Sequence, residues 1–156
     1  MESVIVGVAD CRISSRTTEE LVTYALGSCI AVAIYDPVAQ VAGLLHFMLP
    51  DSKIDPQKSS ACPWMFADTG IPLLFRSVYE RGGDKKRLLV HVAGGAQMLN
   101  DNGLFNIGKR NHAAMRACLW RAGVLIKSEA VGGTTVRTVG LDTATGRFWV
   151  RETNKS

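Results

Sequence analysis

The feature of this sequence that most limits its fold is a series of short runs rich in valine, isoleucine and leucine, separated by turn residues. Each run is shorter than a typical helix, and branched apolar residues favour a pleated backbone that packs against a core. The runs therefore predict strands. They lie at residues 4–8, 21–25, 30–35, 41–48, 87–93, 124–130, 135–141 and 147–151.

Two other segments, residues 64–80 and 109–122, place apolar residues at helical spacing and end at glycine, which predicts two helices. Residues 50–63 are polar and rich in proline, which indicates a surface loop. The class is α+β, with most strands expected to pair as local hairpins. No repeat or linker divides the chain, so we expect one domain over residues 1–156.

Several functional classes are disfavoured by what the sequence lacks. It has no leader-like start and no apolar stretch near the roughly 20 residues that span a bilayer, so we expect neither secretion nor membrane insertion. Its four cysteines form no C-x-x-C pair, which favours thiols in a reducing compartment, by default the cytoplasm. Gly94-Gly95 and Gly132-Gly133 lack the spacing of phosphate loops, so nucleotide binding is not indicated.

The charge is unevenly distributed along the chain. Residues 1–75 hold four basic and eight acidic groups, whereas residues 76–156 hold fourteen basic and six acidic groups. Such asymmetry is compatible with a docking face for an acidic partner and equally with an ordinary solvated surface.

Cys29 is the first candidate for chemistry, because a predicted strand runs through Gly27 and Ser28 directly into it. A tight turn of small residues allows backbone amides to point together at a developing oxyanion or at a thiolate. The same pattern fits a small buried cysteine with a packing role, which is the commoner case in cytosolic proteins.

His46 is the second candidate, because its imidazole interrupts an otherwise apolar run and needs a partner there. If the strands that hold residues 21–25 and 41–48 are close, Cys29 and His46 would form the thiolate–imidazolium pair of cysteine hydrolases, with Thr23 orienting the ring. A core histidine bonded to a backbone carbonyl is the alternative.

The other histidines and cysteines suggest less chemistry. His91 alternates with valines in a strand, and His112 lies on the polar side of the second helix. Cys118 falls on an apolar helical stripe, whereas Cys11 and Cys62 have no clear role. A zinc site built from Cys29, His46, Cys62 and His91 is conceivable, but the spacings match no common ligand motif.

The sequence resembles the CheD family of chemoreceptor glutamine deamidases over nearly its whole length. The segment from Thr23 to Cys29, TYALGSC, is similar to the family's nucleophile motif, and AGLLHFMLP at residues 42–50 is similar to its histidine strand. Further similar segments are Phe66-Ala67-Asp68, Gly94-Gly95-Ala96, Asn106-Ile107-Gly108 with Arg110-Asn111, and Gly132-Gly133 with Arg137. Departures from the family pattern occur at residues 134–136 and at His91.

The resemblance implies a Cys29–His46 pair assisted by Thr23, with turn support from Gly27 and Ser28, and neither metal nor cofactor. It implies a layered α/β/β/α sandwich of mixed sheets with outer helices, similar to the catalytic domain of the deamidating cytotoxic necrotizing factor. The implied reaction converts receptor glutamine side chains to glutamate with release of ammonia, with receptor methyl esters as a further substrate.

The resemblance also implies partners. These are the cytoplasmic helices of chemotaxis receptors and a CheC-type phosphatase, without nucleic acid, and Phe105 and Ile107 are candidate contacts for the phosphatase. The alternative for this segment is an ordinary loop anchored in the core by Phe105. Two alternatives to an amidase remain open: a non-catalytic chemotaxis adaptor, and a thiol redox or metal protein.

Overall fold

The computed structural model describes residues 1–98 and 105–153, and these form nine strands and three α-helices. The strands are β1 (Glu2–Ile5), β2 (Asp10–Ser14), β3 (Glu19–Leu26), β4 (Ile30–Asp36), β5 (Val41–Phe47), β6 (Leu89–Gly94), β7 (Ile126–Val131), β8 (Val136–Asp142) and β9 (Phe148–Thr153). The helices are α1 (Pro56–Ala61), α2 (Ala67–Glu80) and α3 (Ile107–Ala122). Short 3-10 turns cover Ser52–Ile54, Pro63–Met65 and Lys85–Arg87.

The strands form two mixed sheets. The four-stranded sheet has the order β1-β3-β8-β9, and the five-stranded sheet has the order β2-β5-β4-β6-β7. Strand β1 is parallel to β3 and β7 is parallel to β6, whereas the other neighbours are antiparallel. The predicted α+β class with mixed sheets is therefore confirmed.

The chain buries two apolar layers. One lies between the sheets and includes Leu26, Ala31, Leu44 and Val139. The other lies between the five-stranded sheet and helices α2 and α3. Strands β4 and β5 take part in both layers, and every one of their residues is buried. This explains why their sequences are continuously apolar rather than alternating.

Helices α2 and α3 form where their apolar positions repeat at helical spacing. Ile71, Leu74 and Val78 of α2 face the five-stranded sheet, and Gly43 of β5 lets the helix approach closely, because a Cβ there would lie 2.9 Å from Leu74 Cδ1. Helix α3 ends at Gly123, whose φ of 73° suits glycine. None of the described helices combines the length and hydropathy needed to cross a bilayer.

Three expectations were wrong in detail. Strand β2 was missed because its sequence, DCRIS, mixes polar and apolar residues at a sheet edge. Residues 50–63 contain two short helices rather than only loop. Hairpins are fewer than expected, because among the described strands only β4–β5 and β8–β9 pair with their sequence neighbours in antiparallel fashion.

The expected α/β/β/α layering is also wrong for the described residues, where α2 and α3 both pack against the five-stranded sheet. The outer face of the other sheet is covered by its own side chains. A Cβ at Gly140 would lie 2.3 Å from the Trp149 indole, and Trp149 Nε1 donates to Glu20 Oε2 at 2.8 Å. The likeness to cytotoxic necrotizing factor stays a prediction.

Replacing Leu74 tests the helix-facing layer. Leu74 is fully buried, so Leu74→Ala should lower the free energy of unfolding by about 2–5 kcal/mol through lost burial and a residual cavity. Leu125→Ala is the matched control, because Leu125 is 90% exposed and its truncation should change stability by less than about 0.5 kcal/mol. Urea unfolding of both variants measures the difference, and equal losses would contradict the packing described.

Candidate active site

Cys29 lies in the turn before β4, His46 lies on the neighbouring strand β5, and both side chains face the layer between the sheets. Cys29 directly precedes β4, and Ala31, two residues later, pairs with His46 of β5. Residues two apart along a strand share a face, and Cys29 packs against the same inter-sheet layer as Ala31. The thiol therefore lies on the same side of the five-stranded sheet as the imidazole, two residues along the chain from the residue that pairs with His46. Cys29 is half-buried, and His46 is fully buried.

Thr23 reaches His46 from the opposite sheet. Its Oγ1 lies 2.7 Å from His46 Nδ1 and donates its proton to the Val6 carbonyl, also at 2.7 Å. A hydroxyl has a single proton, so Thr23 must accept from Nδ1–H of the ring. In the neutral imidazole the lone pair then resides on Nε2, which has no hydrogen-bond partner in the part of the chain that the structure describes.

The carbonyls of the turn before Cys29 are held by neighbouring segments. Ala96 N donates to Gly27 O at 2.9 Å, and Gly95 N donates to Cys29 O at 2.8 Å. Gly94 is required here, because a Cβ at that position would lie 2.1 Å from Cys29 O. The peptide planes of the turn are thus fixed from the side of β6, as a seat for a nucleophile requires.

Burial changes the acid–base behaviour of His46. Loss of solvent lowers its pKa from 6.5 to about 4, because the charged ring is poorly stabilised between the sheets. The resting imidazole is therefore neutral at pH 7. This favours a neutral base that accepts a proton during reaction over the thiolate–imidazolium pair expected from sequence.

Two of the remaining cysteines, Cys11 and Cys118, lack the features of a nucleophile. Burial, with the nearby Asp10 carboxylate as a second cause, raises the pKa of Cys11, and burial also raises that of Cys118. The thiol of Cys62 donates to Ala9 O at 3.3 Å. High thiol pKa values leave little thiolate at neutral pH, so Cys11 and Cys118 fit packing roles.

The other histidines serve structural contacts. His91 stacks on Phe148 with ring centroids 4.8 Å apart, and its Nδ1 lies 2.6 Å from Ser128 Oγ. His112 lies on the surface, where its Nε2 is 2.6 Å from Glu129 Oε1. Across residues 1–98 and 105–153, no three His, Cys, Asp or Glu side chains are arranged to hold a metal ion.

The candidate partner contacts separate into one exposed and one buried residue. Phe105 is 82% exposed, so it does not anchor this segment in the core. Ile107 is 3% exposed and packs inward at the start of α3, so it offers no surface to a partner. The expectation that Ile107 contributes a contact is wrong in this structure.

Asn111 is a site residue to which sequence reasoning assigned no role. It is fully buried on the inner face of α3, and its amide contacts both strand ends near Cys29 and His46. A signal for it was present in the sequence, because position 111 falls on the same helical face as the apolar residues Met115 and Cys118, where a polar side chain needs a buried partner.

A groove of about 530 Å³ lies beside α3. It is lined by Pro50, Asp68 and Arg110, among others, but by none of the three candidate catalytic residues.

Comparison with known proteins identifies relatives along the whole chain. The family model for CheD chemotactic sensory transduction matches residues 48–152. A protein of Solibacter usitatus named probable chemoreceptor glutamine deamidase CheD is 54% identical over 155 residues, which cover 99% of this chain and 92% of the relative. This chain belongs to the CheD family. A relative of Syntrophus aciditrophicus named probable chemoreceptor glutamine deamidase CheD 1 is 52% identical, and the match covers 97% of this chain and 94% of the relative.

The CheD relatives also cover the segment that holds the candidate site. Thr23, Cys29 and His46 all precede residue 48, where the family match begins. The alignments with relatives extend over this segment, and a third relative, from Anaeromyxobacter dehalogenans, is 45% identical over 97% of the chain. The site thus lies within the part of the chain shared with CheD proteins.

The pKa of His46 predicts acid sensitivity. Because the folded-state pKa lies below the unfolded value, its contribution to stability is present above pH 6.5 and is lost as pH falls toward 4. A shift from 6.5 to about 4 corresponds to about 3 kcal/mol. Urea unfolding between pH 7 and 4.5 should therefore show a smaller acid loss for His46→Gln than for the unsubstituted chain.

The His46→Gln variant must be compared with the unsubstituted chain because the pKa of His91 is also lowered, mainly by burial, so His91 also contributes to the loss of stability in acid. Measuring His91→Gln beside His46→Gln separates the two contributions. Identical pH slopes for the unsubstituted chain and His46→Gln would contradict a neutral buried His46.

Proposed function

We propose that this chain is a chemoreceptor glutamine deamidase that acts in the cytoplasm, with Cys29 as nucleophile, His46 as general base and acid, and Thr23 as the residue that orients His46. The observation that carries the proposal is the Thr23–His46 hydrogen bond, which holds the proton of the neutral ring on Nδ1 and leaves the lone pair on Nε2. The ring and the Cys29 side chain share the layer between the sheets. The names of the CheD relatives supply the substrate.

The reaction begins with the glutamine side chain beside the turn. Cys29 Sγ attacks the carboxamide carbon while its proton moves to His46 Nε2, and the carbonyl electron pair moves onto oxygen. Backbone amides of the turn around Ser28 stabilise that oxyanion, and Gly27 supports the turn, because its own amide donates to Ala25 O at 3.1 Å. His46 returns the proton to the departing nitrogen, ammonia leaves, and a thioester remains on Cys29.

Water completes the cycle. His46 accepts a proton from water as the oxygen attacks the thioester carbon, and the second tetrahedral intermediate collapses with the thiolate leaving. The proton returns from His46 to Cys29, and the product is a glutamate side chain on the receptor. A methylated glutamate has nearly the same shape as glutamine, so the same steps would release methanol from a receptor methyl ester.

The surface around α3 supports docking of an acidic helical partner. The helix contains Lys109, Arg110, Arg116 and Arg121 but no acidic residue, and Phe105 is exposed at its start. Such a face attracts the cytoplasmic helices of a receptor and speeds their encounter. A CheC-type phosphatase that covered Phe105 would compete for the same approach.

Cys29 can be tested with receptor cytoplasmic fragments. Cys29→Ala should reduce deamidation by at least about 10³-fold, because the covalent route is lost. The readout is the mass increase of glutamine-bearing receptor peptides together with ammonia release. Cys62→Ala is the matched control, since both thiols are half-buried, and it should retain activity. A folded Cys29→Ala variant that deamidates normally would rule out Cys29 as the nucleophile, whereas a folded unsubstituted protein that releases no ammonia would favour a non-catalytic adaptor.

The role of the Thr23 hydroxyl can be tested with one variant that keeps the shape of the side chain and another that keeps the hydroxyl. Thr23→Val keeps the shape but leaves His46 Nδ1–H and Val6 O without their partner, so the imidazole loses its fixed orientation. We expect kcat to fall about 10²-fold with little change in KM. Thr23→Ser keeps the hydroxyl and should retain most activity. Equal kcat for the Val and Ser variants would rule out orientation by the hydroxyl.

A further inference from the structure

The side chain of Asn111 joins the ends of the two strands that carry Cys29 and His46. Its Nδ2 donates to Ser28 O at 2.9 Å and to Met48 O at 2.8 Å. Ser28 directly precedes Cys29, and Met48 follows His46 by two residues. One amide from α3 therefore contacts both strands beside their candidate catalytic residues.

This contact lies where regular strand pairing stops. The last residue pair of β4 and β5 at this end is Ile30 with Phe47, and the Ser28 and Met48 carbonyls lie beyond it. Buried carbonyls need donors, and a carboxamide NH₂ has two protons in one plane, which suits it to bridge two acceptors. Asn111 thus holds the strand ends at a fixed separation after the backbone ladder has ended.

Packing alone gives no reason for an asparagine at this position. Asn111 is fully buried between apolar neighbours on the α3 stripe, and its Oδ1 has no hydrogen-bond partner within residues 1–98 and 105–153. An unsatisfied buried acceptor reduces stability, and a leucine would remove this one but would leave the Ser28 and Met48 carbonyls without the donor that Asn111 supplies. The two bonds made by Nδ2 are therefore the contribution that an apolar residue could not supply.

We propose that Asn111 is a positioning residue, which fixes the Cys29 turn relative to the end of β5 and thereby the position of the thiol relative to the His46 ring. This inference rests on the proposed deamidase function for its kinetic consequence. The attack requires reacting atoms within a narrow range of distance and angle, so a shift of the turn by about 1 Å can cost about 10²-fold in rate. The side chain of Asn111 acts from the helix side of the sheet, whereas Cys29 packs against the inter-sheet side.

Asn111→Leu is the decisive variant, because it keeps the branched shape of the side chain while removing both donors. We expect kcat for receptor deamidation to fall about 10²-fold with KM little changed. We also expect slower alkylation of Cys29 by iodoacetamide at neutral pH, followed by peptide mass mapping. Asn111→Ala is the second variant, for the case in which Asn111→Leu fails to fold: it removes both donors without adding volume and should show the same losses.

Met115→Ala is the matched control for stability. Met115 is fully buried on the same face of α3, so its truncation destabilises the fold while leaving the bonds to Ser28 and Met48 in place. At a temperature where all variants are folded, Met115→Ala should retain kcat and the alkylation rate of Cys29. A comparable loss of kcat in Met115→Ala would assign the effect to stability and overturn the inference.

The outcomes also separate this inference from the proposed function. If the unsubstituted protein deamidates receptor fragments and folded Asn111→Leu does so at the same kcat, the positioning role is wrong and the function stands. If the folded unsubstituted protein releases no ammonia, the proposed function fails. In that case slower Cys29 alkylation in Asn111→Leu still supports positioning of the turn, and an unchanged alkylation rate overturns it.

Discussion

The hydrogen bond between Thr23 and His46 is the interaction on which the site depends, because it crosses from one sheet to the other. Both side chains are fully buried, so their separation is set by how the sheets pack. The direction of the bond is fixed by a third group, the Val6 carbonyl, which takes the only proton of the Thr23 hydroxyl. Sheet packing therefore determines which ring nitrogen can act as a base.

Burial has a second consequence for the same ring. Between two sheets the imidazolium is poorly solvated, which lowers the pKa of His46 to about 4 and keeps the ring neutral. In the proposed reaction a neutral His46 accepts the thiol proton, and the imidazolium that then forms balances the negative charge that develops in the intermediate. In the proposed reaction charge separation is brief and local, which suits a site shielded from solvent.

The sequence predicts much of this arrangement, and the reasons are local. Continuous apolar runs identified β4 and β5 because both faces of these strands are buried, and His46 was conspicuous within such a run. Turn residues before Cys29 indicated a seat for a nucleophile. The sequence pattern alone gave little reason to choose Thr23, because threonine is common in strands. Its assignment came mainly from the family resemblance.

Other features depend on long-range packing that no local pattern records. The mixed polar sequence of β2 becomes a strand only because β5 offers an edge for pairing. Which sheet a helix covers is decided by competition between apolar surfaces, and the four-stranded sheet covers its outer face with Trp149 and its neighbours. The role of Asn111 required knowing that two strand ends converge on one side chain.

The distribution of unsatisfied buried groups supports a functional reading of this region. Three buried side-chain atoms lack hydrogen-bond partners among the described residues: His46 Nε2, Asn111 Oδ1 and Thr143 Oγ1. Each such group costs about 1–3 kcal/mol, which an apolar core would avoid. Thr143 lies just after β8 and has no explanation in the structure. The other two belong to residues at the same end of β4 and β5, where local rules for stable cores are expected to fail if a site needs fixed polar groups.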